Sequence, residues 1–235
     1  MRLDKAAALS GLTRTEARRA VASGRVRVAG EVARDPAMQV DPAQVSVDGR
    51  AVQAGELYVM VHKPAGVLTA TEDRRLPTVA DLLPEPYKKR NPGPVGRLDR
   101  DVTGLVIMTT DGQLAHRLIS PKWKAEKVYR ARCEGRLTDA DVARFAQGVA
   151  LSDFTARSAK LEIVAADDAE SLADVTLTEG KFHQVKRMFA AVGHPLIALH
   201  RARIGCVSLD AALAPGACRA LTEAEVEGLR ALCGL

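Results

Sequence analysis

The sequence predicts an α+β protein, on three observations. Helical patterns do not alternate strictly with strand patterns, which argues for a mixed, mainly antiparallel sheet. Short apolar runs bounded by Gly, Pro, Asn and Asp recur from residue 57 onward and read as strands. Ahead of them, two short helices and a few short strands within about 50 residues form a compact α/β unit of their own, only marginally stable by its own core.

Residues 3–10 and 13–23 read as helices. The second opens at Thr13 with Glu16 three residues on, a capping-box spacing, and stops at Gly24. Residues 25–28 and 31–33 form a hairpin through the Ala29-Gly30 turn, and residues 45–47 and 51–52 are strands around Asp48-Gly49. A linker at 53–56 divides a domain of residues 1–52 from one of residues 57–235. In the second domain, residues 57–61 and 105–109 are buried-type strands. Residues 84–94, with four prolines and Lys88-Lys89-Arg90, are an exposed loop. Asp111 caps a helix to about residue 119, residues 129–133 are a strand and 139–147 a helix. Residues 159–164 and 172–178 are paired strands, and 182–192 is a helix stopped by Gly193. Strands follow near 196–199 and 204–209, and Thr222 caps a final helix.

The chain has 235 residues, 47% hydrophobic and 27% charged, which suits a globular fold, and only 3% aromatic. Any base-stacking site must therefore draw on few rings. Residues 1–34 hold eight cations against three anions, so the whole formal excess of +5 lies there. Four scattered cysteines without a C-x-x-C pair, no signal-like apolar run and no 18-residue apolar stretch point to a cytoplasmic protein with no membrane association. The five histidines form no H-x-x-x-H pair and none has a Cys at zinc spacing. A G-x-x-x-x-G-K-[ST] loop is absent as well, so neither a metal nor ATP is expected.

Arg14, Arg18 and Arg19 fall roughly on one helical face, and Arg25 and Arg27 point to one side of the following strand. Spacing alone fits a phosphate-binding patch and an ordinary solvated face equally. The run Arg2-Leu3-Asp4-Lys5, then Thr13-Arg14 through Val21, then Gly24-Arg25-Val26-Arg27-Val28-Ala29-Gly30 resembles the S4-like RNA-binding domain. That resemblance implies RNA as partner, with these five arginines at the interface.

Asp99 lies between a loop and an apolar strand, a placement that suits a functional carboxylate or a turn cap, with Asp101 competing for either role. Gly96-Arg97-Leu98-Asp99 through Thr103-Gly104-Leu105 and on to Asp111-Gly112 resembles the catalytic motif of the pseudouridine synthases that modify rRNA. Lys127-Val128-Tyr129 is similar to their K-x-Y signature, and Gly180 through Gln184-Val185-Lys186-Arg187-Met188 to their G-x-x-x-Q-V-[KR]-R-M segment. His62-Lys63-Pro64-Ala65-Gly66 is similar to their N-K-P-x-G, departing from it at His62.

The resemblance spans nearly the whole chain. It implies a pseudouridine-synthase catalytic domain with Asp99 as the essential carboxylate, and with Arg97, Tyr129 and Lys186 at the substrate. The N-terminal domain points to the small-subunit branch, the RsuA family, which implies 16S rRNA, at the position numbered 516, as target. The RNA is met naked or in an assembling subunit. The alternatives are a 23S target or a non-catalytic rRNA-binding assembly factor.

Making pseudouridine breaks the N-glycosidic bond, turns the uracil and rejoins it through C5. No net redox change occurs, so no cofactor is expected. A cation beside Asp99 favours its charged form, and Lys186 is the candidate. Tyr129 offers a ring face to uracil and a hydroxyl for proton transfer at C5. The low aromatic content gives no sign of an obligate dimer, and a monomer is expected.

Overall fold

The computed structural model describes residues 1–52 and 55–235, so Gln53 and Ala54 of the expected linker lie outside the described residues. The chain divides into two compact units, Met1–Leu57 with Leu83–Pro92, and Tyr58–Leu82 with Gly93–Leu235.

In the first unit, α1 (Leu3–Ala8) and α2 (Arg14–Ala22) precede β1 (Val26–Val28), β2 (Glu31–Val32), β3 (Val45–Val47) and β4 (Arg50–Ala51), which form an antiparallel sheet in the order β2-β1-β3-β4. The capping box at α2 forms as expected. The Glu16 amide donates to Thr13 Oγ1 at 3.2 Å, and the Thr13 amide donates to Glu16 Oε2 at 2.8 Å. Leu3, Ala17, Ala20, Val21 and Val26 are fully buried. Small side chains let both helices approach the sheet.

Asp4 sits at the edge of this core, its side chain 1% exposed, with the guanidinium groups of Arg2 and Arg18 each 3.1 Å away. Their hydrogen bonds, Arg2 first and then Arg18, hold its carboxyl down at about 2. A carboxylate depressed in the fold stabilises it above the unfolded value. That contribution is lost as pH falls from about 4 toward 2. The helical circular dichroism signal of an Asp4→Asn variant should therefore change less than that of wild type across this window.

The segment expected as a loop at 84–94 holds a short helix, α3 (Glu85–Lys88), and a two-residue strand, β6 (Gly93–Pro94). Residues 83–92 group with the first unit. The Lys89 stem packs closely on Gly11, and the Arg90 guanidinium donates to the Gly55 carbonyl.

The second unit is built on β5 (Tyr58–Lys63), β7 (Thr103–Thr109), β8 (Lys127–Glu134), β9 (Lys160–Ala166), β10 (Glu170–Leu177), β11 (Leu196–Ile204) and β13 (Cys218–Ala220). Among the described residues they form a sheet in the order β13-β5-β7-β11-β8-β10-β9, with β12 (Val207–Ser208) on β11 and β6 on β7. The β7–β11 pairing is parallel and the other described pairings are antiparallel, so the sheet is mixed and mainly antiparallel, as expected. Central β7 buries Leu105 through Met108 completely. Strand β8 alternates, with Lys127, Tyr129, Ala131 and Cys133 facing inward.

Helices α4 (Gly112–Ile119), α5 (Asp139–Gln147), α6 (Gln184–Val192) and α7 (Glu223–Leu232) complete the unit. Asp111, Thr138 and Thr222 cap α4, α5 and α7. Strand β11 carries the piece expected near 196–199 on to Ile204, with register shifts between Leu196 and Ala198 and between Arg201 and Arg203, and the piece expected at 204–209 holds β12. Strand β13 went unforeseen, since three residues are too few to reveal a period. Among the described residues no helix is long and apolar enough to cross a membrane.

Candidate active site

The loop from Gly96 to Val102 is fixed before it presents any side chain. Thr69 Oγ1 donates to the Leu98 carbonyl at 2.8 Å and accepts from the Leu98 amide at 3.1 Å. The Gly66 amide donates to the Arg100 carbonyl at 2.8 Å. Beneath the loop lies Lys63, a fully buried lysine at the end of β5. Its ammonium donates to the carbonyls of Pro64 (3.1 Å), Arg100 (3.1 Å) and Val102 (2.6 Å). Burial pulls this amine down to about 8, opposed by Asp101 and Asp99. Three carbonyl acceptors around one nitrogen match the three N–H donors of an ammonium.

Asp99 leaves this loop with its side chain 29% exposed. Its carboxylate faces side chains: Lys186 Nζ is 3.1 Å from one oxygen and His183 Nε2 3.4 Å from the other. Lys186 also donates to both oxygens of Asp101, at 2.7 and 2.9 Å. Burial lowers the Lys186 amine, but its hydrogen bonds to Asp101 and Asp99 outweigh it and the net shift is upward. Asp101 is held below the usual carboxylate range, chiefly by its hydrogen bond from Lys186. Of the two aspartates, Asp101 is the more open to solvent, its side chain 73% exposed.

Lys186 lies in the first turn of α6, whose start is set by its own loop. Gln184 Nε2 donates to buried Glu179 at 2.6 Å, while Gln184 Oε1 accepts from the Lys181 amide at 2.9 Å. The expected helix start at 182 is corrected here. His183 adopts a left-handed conformation (φ 50°), so the helix begins at Gln184. That turn stacks the His183 ring on Phe182 at 3.8 Å, with Phe182 itself 76% exposed. A cavity of about 80 Å³ is lined by Arg97, Asp99, Tyr129, His183 and Lys186, among others. Arg97, Asp99, Tyr129 and Lys186 are thus brought together from the 96–102 loop, β8 and α6. The sequence reading did not single out Lys63 or His183, although both lie inside the motifs it quoted.

Arg14, Arg18, Arg19, Arg25 and Arg27, the five arginines offered for RNA, are all exposed. Arg18 is engaged by Asp4. Arg25 pairs with both oxygens of Asp48, and Arg27 donates to the Gly30 carbonyl at 2.9 Å. Arg14 and Arg19 are exposed on α2, whose buried residues are Ala17, Ala20 and Val21.

Comparison with known proteins shows the family of the chain. The RNA pseudouridylate synthase family model matches residues 57–191, and the S4 domain model residues 1–46. An uncharacterized RNA pseudouridine synthase of Bacillus subtilis is 44% identical over 231 residues, covering 96% of this chain and 97% of that protein. Ribosomal small subunit pseudouridine synthase A of Escherichia coli K12 is 44% identical over 233 residues, covering 96% and 98%. A crystal structure of a pseudouridylate synthase superposes with a TM-score of 0.69 at 36% identity, covering 97% of this chain and 99% of that one. The chain belongs to the RNA pseudouridylate synthase family and carries an S4 domain at its N-terminal end.

Proposed function

We propose that this enzyme converts a uridine of 16S ribosomal RNA, at the position numbered 516, to pseudouridine, with Asp99 as the catalytic carboxylate. The observation that carries the reading is the Asp99 carboxylate held between Lys186 and His183 in a cavity that Tyr129 and Arg97 also line. The choice of 16S rests on the small-subunit name of the Escherichia coli relative.

The reaction breaks the bond between C1′ and N1, turns the free uracil within the cavity and forms the bond between C1′ and C5. One proton leaves C5 and one arrives at N1, so atoms and charge balance without an external reactant. Asp99 acts at the ribose, by attack on C1′ or by removing the 2′ proton, and an isotope effect with 2′-deuterated substrate separates the two. Lys186, 3.1 Å away, orients the carboxylate. Tyr129 packs against the uracil and places its hydroxyl for the proton transfer at C5. The target base must leave its stack, at a cost of a few kcal/mol. Phosphate contacts from Arg14, Arg18, Arg19, Arg25 and Arg27 offset it. This reading takes the protein as a cytoplasmic monomer.

The test is incubation with unmodified 16S rRNA, naked and in particles, and mapping of pseudouridine by chemical labelling. A single modified position supports the reading. Product only on 23S rRNA moves the target, and binding without product favours an assembly factor.

The arginines have their own test. Arg18 also holds Asp4, so the clean variant replaces Arg14 and Arg19 together. The log–log salt slope of RNA binding should flatten by about 0.7 to 0.9 for each phosphate that the variant no longer neutralises. An unchanged slope would take this face out of the interface.

A further inference from the structure

Behind Tyr129 lies a second, smaller cavity of about 60 Å³, lined by Arg97, Lys127, Tyr129, Gly180 and Arg201 together with apolar side chains. Two of its cations are buried: Arg201 is 3% exposed and Lys127 9%. Arg201 donates through Nε to the Leu105 carbonyl at 2.8 Å, and its guanidinium lies 6.0 Å from the centre of the Tyr129 ring. Its Nη2 is buried and has no hydrogen-bond partner among the described residues. Lys127 donates to the Leu118 carbonyl at 2.9 Å. No carboxylate lines the cavity among the described residues.

A buried cation without an anion is costly, and an unpaired guanidinium N–H adds the penalty of an unmade hydrogen bond. Lys127 registers that cost, since burial first and then the charge of Arg201 push its amine down to about 8. A neutral group such as uracil would satisfy the free N–H but not the charge. The space amounts to several waters, enough for one tetrahedral anion, and a planar guanidinium fork matches phosphate oxygens.

We propose that Arg201, Lys127 and Arg97 form a phosphate-binding subsite behind Tyr129 that takes a backbone phosphate of the bound RNA close to the target nucleotide. The site joins the reaction cavity through Arg97, Tyr129 and Gly180, which line both. A phosphate held there fixes the strand on one side of Tyr129 while the base enters on the other. The choice of RNA as the source of the phosphate rests on the function proposed above. The phosphate chemistry of the subsite does not.

The test reads binding, not turnover. Wild-type protein and Arg201→Met are melted in sodium phosphate and in sodium chloride of equal ionic strength. Phosphate at about ten times its Kd should raise the wild-type Tm by about 3 °C over chloride and leave Arg201→Met unmoved. Should Arg201→Met fail to fold, Lys127→Met tests the same cavity from its other buried cation, with the same loss expected. Equal phosphate shifts in wild type and variant would overturn the proposal, because other arginines would then account for them. Competition separates the sources. Phosphate that displaces an rRNA fragment from wild type, but not from the variant, identifies an RNA phosphodiester. An Arg201-dependent Tm rise without displacement supports the anion site with free phosphate as its occupant.

Discussion

Asp99→Asn protein is expected to bind rRNA with wild-type affinity and to form pseudouridine at least about 10³-fold more slowly, the scale on which a reacting carboxylate contributes. The substitution keeps the side chain's shape and removes only its charge. The loop stays pinned by Lys63 and Thr69, and Lys186 stays held by Asp101 at 2.7 and 2.9 Å. Neither fold nor RNA affinity should therefore change. Asp101→Asn is the matched control. It gives up the stronger lysine interaction but leaves Asp99 in place, and it should cost no more than about tenfold. Time courses of pseudouridine formation on unmodified rRNA give both numbers. Wild-type turnover by Asp99→Asn would remove Asp99 from the chemistry, and a larger loss in Asp101→Asn would transfer the role to its neighbour.

Gly104→Ala carries the largest expected effect on stability, more than about 4 kcal/mol. Gly104 begins the buried part of β7, where that strand pairs with β11 and Gly104 stands opposite Arg201. A Cβ at Gly104 would sit 2.3 Å from the Arg201 carbonyl oxygen and 2.6 Å from its amide nitrogen. These are backbone atoms in the middle of a sheet and cannot move aside as a side-chain tip can. The residue also has φ +108°, a region that L side chains rarely adopt. Relief would require β7 and β11 to separate, and with them the supports of Asp99 and Arg201. Folded domains are stable by only about 5–15 kcal/mol, so the urea midpoint of Gly104→Ala should fall sharply, or the protein should be recovered unfolded. A midpoint within error of wild type would show that the close approach is relieved elsewhere.

Much of this protein was legible in the sequence, for local reasons. Caps at Thr13, Asp111 and Thr222 satisfy amides within the next three residues, so their chemistry is written in adjacent letters. Alternation along β8 reports which side chains face inward, because the strand's own geometry sets that period. The motifs around Asp99, Tyr129 and Lys186 implied the family, which the family models and relatives show. The lack of strict helix–strand alternation implied the α+β class with a mixed, mainly antiparallel sheet.

What the sequence alone could not supply is which distant groups meet, because pairing depends on long-range closure of the sheet rather than on any local period. Lys63 is an ordinary lysine on paper. Only the packing of β5 beneath the 96–102 loop turns it into a buried triple donor. His183 reaches Asp99 because one left-handed residue precedes α6, a conformation that residue type does not announce. Arg201 reads as a polar position on an irregular strand. The parallel β7–β11 pairing buries it beside Lys127 with one N–H unmet. Most of the elements, the family and most of the groups offered for chemistry can be read from the letters. Which of those groups are desolvated together is settled by the packing, and burial is what gives a charge the strength to hold a loop or bind an anion.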